Sequence, residues 1–189
     1  MKLLRPADIR AATAYEEDRA GARSRLVELK DVRRVELSAG LTLVFENRET
    51  LVAAVEESIR ASRPRDPQDA VVRAVDAFNE LAPEPGSLLA TLYLEAADAS
   101  ELARMAGHHR GVEHRLYLEV GGERVEAVAA MGDDELEPPA AFVVSFPLGE
   151  AQRRVWQEGA EVTVGVDASS VSSRVHLRAD QRWALAGDF

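Results

Sequence analysis

Glu46, Asn47 and Arg48, with Arg33 and Arg34 nearby in sequence, are the side chains best placed by type and spacing to do chemistry. They stand where a strand should turn into a helix. A helix start offers free backbone N–H groups and the positive end of a dipole, and arginine adds a forked donor that fits phosphate or carboxylate. That combination suits recognition of an anion. The same residues have a plainer use, in which Asn47 caps the helix and Glu46 pairs with an arginine to pin strand to helix.

Histidines supply the second group. His108-His109 and His114, with Glu113 adjacent, give an HHxxxxH spacing. Imidazole and carboxylate hold zinc or iron when they converge. Gly107 and Gly111 place this group on a loop, and the spacing matches no familiar ligand pattern. His114 also shares the parity of Leu116 and Leu118, as the start of a half-buried strand would. No metal or cofactor is expected, and His108, His109 and His114 are the alternative metal set.

Other chemistries lack their residues. The chain has no cysteine, so thiol nucleophiles, thiolate zinc and iron–sulfur ligation within it are excluded. There is no G-x-S-x-G elbow, P-loop or G-x-G-x-x-G. Glu56-Glu57 and Asp133-Asp134-Glu135 read as solvated faces of an acidic protein. No catalytic residue is assigned.

The elements that must carry these residues follow from pattern. Apolar content of 46% and charged content of 30% in 189 residues describe one globular domain, 1–189. The net charge of −10 argues against nucleic acid and anionic membrane as partners. The first residues, MKLLRPADIR, lack the apolar core of a signal peptide, and no apolar run reaches membrane-spanning length. A cytoplasmic location is the expectation.

Thr13 and Glu16 have capping-box spacing, and the pattern predicts a helix over 13–30. Alternation in 33–38 and 41–46 predicts two strands about Ala39-Gly40. Asn47 and Asp66-Pro67 begin two further helices. Ser87 to Glu95 reads as a central strand, and Asp98 with Glu101 caps a short helix ending near Gly107. Gly121-Gly122 is a hairpin turn. Gly132 to Pro139 is an acidic loop. Strands follow at 141–146 and 162–166, with a short helix between, and Ser169 to Ser173 reads as a flexible turn. The expected fold is α+β: about seven short strands in a largely antiparallel sheet, with four or five helices on one face. Val175 to Phe189, which includes Trp183, Leu185 and Phe189, reads as an edge strand and a tail. That tail either docks on a partner or second copy, or packs on its own domain.

The blocks RRVELSAGLTLVFENRETL, DAFNELAPEPGSLLATLYLE, HRLYLEVGGERVEAVA and GAEVTVGVD resemble, over nearly the whole chain, a bacterial family catalogued as a domain of unknown function. The block with Phe45-Glu46-Asn47-Arg48 carries the resemblance most specifically. The last block adds Asp167 to the candidate ligand-binding residues, and it departs from the relatives' His-Pro at Ala168-Ser169. Members of that family are often encoded beside rubrerythrin-like di-iron proteins and iron–sulfur oxidoreductases. The resemblance therefore implies a non-catalytic accessory protein for a di-iron or iron–sulfur redox partner. Trp183, Leu185 and Phe189 are then the candidate partner-binding residues, and a homodimer is compatible with a small α+β domain. The other function in view is a small-molecule or anion binder, or an enzyme, with a pocket around Arg34, Glu46, Asn47 and Arg48.

Overall fold

The computed structural model of the chain describes residues 3–82, 84–129 and 140–189. The acidic stretch expected as a loop at 132–139 lies outside them, as does Pro83. Six α-helices and nine strands are present among the described residues, in two antiparallel sheets.

After a 3-10 turn at Pro6–Asp8, α1 spans Ala12–Asp31. Its N-cap is Ala11 and no side chain caps it, so the expected Thr13–Glu16 capping box does not form. Both residues already lie inside the helix. The hairpin β1 (Arg34–Ser38) and β2 (Leu41–Glu46) follows, then α2 (Arg48–Ser62) and α3 (Pro67–Glu80). Asn47 caps α2: its side-chain oxygen accepts from Thr50 N over 2.9 Å, and Thr50 Oγ1 accepts from Asn47 N over 2.9 Å. Asp66 caps α3 by accepting from the N–H groups of Gln68 and Asp69, both at 3.1 Å. Arg63 ends α2 at φ 44°, in the left-handed region.

β3 (Ser87–Leu94) is the centre of a five-stranded sheet of order β1-β2-β3-β7-β6, in which β6 is Val128–Ala129 and β7 is Ala141–Pro147. The second sheet has the order β5-β4-β8-β9, from β4 (Leu116–Val120), β5 (Glu123–Glu126), β8 (Val162–Ala168) and β9 (Val171–His176). The shorter helices are α4 (Ala99–His108), α5 (Glu150–Gln157) and α6 (Ala179–Ala186).

The two sheets enclose the larger core. Leu41, Leu43, Phe45, Leu88, Leu92 and Phe146 of the first sheet share it with Leu116, Leu118, Val164 and Val166 of the second. A smaller core lies on the opposite face of the five-stranded sheet, where Leu51, Val55 and Ile59 of α2 and Val75 of α3 meet Leu89. This double coverage explains why all six residues of β2 are buried, although its sequence alternates.

Several expectations need correction. The fold is α+β with antiparallel pairing as expected, but among the described residues the strands number nine rather than about seven, and they divide between two sheets. Helices are not confined to one face, because α4, α5 and α6 contribute Met105, Trp156 and Leu185 to the core between the sheets. His114 begins no strand, since Val112–Arg115 is a 3-10 turn that leaves it exposed. Ser172 and Ser173 belong to β9 rather than to a turn. Val175 to Phe189 begins with the end of β9, an edge strand as expected, but continues as a helix rather than a tail.

Candidate functional site

Side chains on a strand alternate between its faces. Leu41, Leu43 and Phe45 fill the core between the sheets, so Thr42, Val44 and Glu46 face α2 and α3. The antiparallel register sets Glu46 against Leu89, Val44 against Thr91 and Thr42 against Tyr93. Val143 of β7 lies opposite Thr91. Glu46, Thr91 and Tyr93 therefore share one face beneath the helices.

They line a cavity of about 270 Å³ whose other walls are Leu51, Ala54, Phe78, Leu81, Leu89 and Val143. Glu46 is 7% exposed. Its Oε1 accepts the Thr91 hydroxyl over 2.8 Å. Among the described residues no arginine, lysine or histidine forms an ion pair with it. Burial, and then the negative charge of Glu46, push the Tyr93 phenol above its ordinary pKa, which keeps it a neutral hydroxyl. The arrangement is an apolar chamber with a carboxylate, a hydroxyl and a phenol on its sheet wall.

The arginines of the sequence-predicted corner do not join Glu46. Arg48 pairs with Asp8 at 2.7 Å. Arg34 Nη2 donates to Glu95 Oε1 at 2.7 Å in a solvent-exposed pair. Arg33 Nη1 donates to Asp188 Oδ2 at 2.7 Å, far along the chain. Asn47 is occupied as a cap. The pairing of Glu46 with an arginine does not occur either, and the threonine bond stands in its place.

Arg48 lines a different opening, a cleft of about 300 Å³ between α1 and α2 with Arg10, Arg25, Asp8, Glu49 and Glu56. Its arginines are all paired with carboxylates, and Glu49 is left without a partner among the described residues. Arg10 donates to the buried Glu56 from its backbone N, Nε and Nη2, and its Nη1 reaches Asp18 at 3.0 Å. Asp18 also accepts from Arg25. An anion entering here would compete with carboxylates already in place.

Of the histidines, His108 and His109 stack edge-on with ring centroids 4.8 Å apart. His109 is buried and its Nδ1 lies 3.1 Å from Ser170 Oγ. Burial, with a smaller push from His108, lowers its pKa and favours the neutral ring. His114 is exposed, with Nε2 3.4 Å from Glu113 Oε1. Among the described residues no three His, Asp or Glu side chains converge as a ligand set. Asp167, the penultimate residue of β8, is exposed, with its Oδ2 3.9 Å from Arg124 Nη1.

The candidate partner-binding residues separate. Leu185 is fully buried, and Phe189 packs edge-on against Trp156 with centroids 5.4 Å apart. Trp183, on the other side of α6, is 84% exposed.

Sequence reasoning missed Thr91, Tyr93 and the helix residues above them. The available signal was the spacing of Thr91 and Tyr93 within the leucine-rich SLLATLYLE, which puts two polar side chains on one face of a central strand.

Among the described residues no helix is long and apolar enough to cross a membrane. No curated protein matches the chain. A crystal structure described as a novel protein of unknown function from Burkholderia pseudomallei K96243, at 1.90 Å resolution, is similar over 100% of both chains, with 26% identity and a TM-score of 0.89. Residues 3–189 match the family model described as "Protein of unknown function (DUF3501)". The match covers the cavity, both sheets and all six helices, and the chain belongs to the DUF3501 family.

Proposed function

We propose that this protein binds a compact, largely apolar small molecule in the chamber beneath α2 and α3, with Glu46 receiving the molecule's hydrogen-bond donor. The observation that carries the reading is a buried carboxylate facing an apolar cavity with no ion-pair partner among the described residues. Such a group is costly to bury unless it is paired, and a ligand that pairs it recovers that cost. An amine does so best, because it brings both charge and donors. Thr91 and Tyr93 then fix its orientation, and the leucine and phenylalanine walls select shape.

Calorimetry with benzylamine, benzyl alcohol and toluene tests this. Benzylamine is expected to bind most tightly, and Glu46→Gln to weaken it by about tenfold or more, the loss of one charge-assisted bond. Equal binding of all three by both proteins would remove Glu46 from the site.

A second reading gives the protein an accessory role in the cytoplasm, beside a di-iron or iron–sulfur redox partner. The large exposed surface of Trp183 supports a protein-facing helix, since aromatic anchors are enriched in interfaces. Co-elution of the purified protein with a rubrerythrin-like di-iron protein, lost in Trp183→Ala, is the expected outcome. Self-association through the same residue would make the partner a second copy.

A further inference from the structure

Two segments distant in sequence form a polar cleft apart from the chamber at Glu46. Arg110, Gly111, His114 and Arg115 face Asp167, Ala168 and Ser169 across about 780 Å³. The first group lies between α4 and β4, and the second at the turn between β8 and β9. His109 Nδ1 and Ser170 Oγ, 3.1 Å apart, hold the segments together. Gly111 takes φ 77°, a left-handed turn that a side chain would strain, and sends the chain from Arg110 directly into the 3-10 turn ending at Arg115.

Most arginines of the described residues are paired with a carboxylate, although Arg23, Arg63, Arg65, Arg153, Arg154 and Arg182 outside this cleft are not. Arg10, Arg19, Arg25, Arg33, Arg34 and Arg48 each have a carboxylate partner. Among the described residues Arg110 and Arg115 have none. His114 adds a third nitrogen donor, shared with Glu113. In a protein of net charge −10, two arginines converging on one concavity form a local positive field. Asp167 stands on the opposite wall, its carboxylate largely in solvent.

We propose that this cleft binds a phosphate ester whose organic part carries hydroxyl groups, a sugar phosphate in kind. Arg110 and Arg115 clasp the phosphate, because the guanidinium fork matches its oxygens. Ser169 donates its hydroxyl to the same group. Asp167 repels a bare multivalent anion from its own side and accepts hydrogen bonds from hydroxyls there. The cleft is far larger than a phosphate group, so most of its space belongs to the organic part. It shares no residue with the chamber at Glu46, and the two sites stand or fall separately.

The test is calorimetry of the intact protein at low salt with ribose 5-phosphate, inorganic phosphate and ribose. Ribose 5-phosphate is expected to bind most tightly, and less tightly as salt rises. Arg110→Gln and Arg115→Gln should each weaken it by about tenfold or more, one charge-assisted interaction apiece. Asp167→Asn should weaken ribose 5-phosphate while strengthening inorganic phosphate, which the carboxylate no longer repels. All three positions are exposed, so the variants should melt like the parent. Arg73→Gln, at an exposed position on α3 that pairs with Asp69, is the control and should bind like the parent. Absence of binding, or binding retained in both arginine variants, would overturn the site. Inorganic phosphate binding as tightly as ribose 5-phosphate would overturn the ester assignment.

Discussion

Arg33 and Asp188 form a two-pronged ion pair between the residue before β1 and the residues after α6. Nη1 reaches Oδ2 at 2.7 Å and Nη2 reaches Oδ1 at 3.3 Å. The contact spans 155 positions. Arg33 is 4% exposed, and its Nε has no partner among the described residues. Gln181 Nε2 donates to the Arg34 carbonyl at 2.8 Å, and Trp156 Nε1 donates to the Arg182 carbonyl at 3.0 Å. These contacts tie α6 to β1 and α5. Breaking a buried pair strands the remaining charge, so Asp188→Ala should cost about 3 kcal/mol in urea unfolding. Joint replacement by Arg33→Met and Asp188→Leu should recover most of that loss, and a double variant as unstable as Asp188→Ala would contradict the assignment.

Acid should loosen the turn before α1 at a defined pH. Hydrogen bonds from the Arg5 side chain and backbone, and then from Arg48, hold the Asp8 carboxyl down at about 2, against opposing burial. A depressed folded-state value means that the contribution of Asp8 to stability is complete above the ordinary carboxyl value. It is lost as the pH falls through about 2. Carboxyl NMR titration should find the Asp8 midpoint near that value, and Asp8→Asn should flatten the acid limb of the stability profile between them. An Asp8 midpoint in the ordinary carboxyl range would contradict the geometry.

Glu46 should trade stability for binding. A carboxylate facing an apolar chamber opposes folding, and its removal commonly stabilises a functional site. Glu46→Gln keeps an acceptor for the Thr91 hydroxyl. Thermal unfolding should show it more stable than the parent by about 1 kcal/mol. A loss of stability would mean that Glu46 serves the fold rather than a ligand.

The two faces of α6 should respond oppositely to truncation. Leu185 lies in the core between the sheets, so Leu185→Ala should cost about 2–5 kcal/mol. Trp183 is exposed, and Trp183→Ala should stay within about 0.5 kcal/mol of the parent. Denaturant midpoints for the pair measure this directly.

Much of the front of the fold was legible because local signals there agree with tertiary ones. Asn47 and Asp66-Pro67 carry helix-start chemistry that needs no distant partner, and both cap as expected. The Gly121-Gly122 turn is equally local, with φ values of 57° and 86°. α1 departs from its capping-box signal, since its N-cap is Ala11 rather than Thr13. β9 was hidden by its serines, although Val171, Ser173 and Val175 alternate as half-buried positions with exposed Ser172, Arg174 and His176. α6 offered one missed cue, the spacing of Gln181 from Arg178, whose N–H it accepts at 2.9 Å. The corner at Glu46 was legible as a place but not as a chemistry. Strand parity locates its side chain opposite the inter-sheet core, yet nothing local reveals that α2 and α3 cover that face and leave a chamber.

The measurement closest to the central claim is methyl and backbone NMR of the protein titrated with benzylamine. Occupancy of the chamber predicts saturable shifts confined to Leu51, Ala54, Leu81, Leu89 and Val143, weakened by about tenfold or more in Glu46→Gln. Shifts scattered over the surface, or an unchanged titration in the variant, would contradict it.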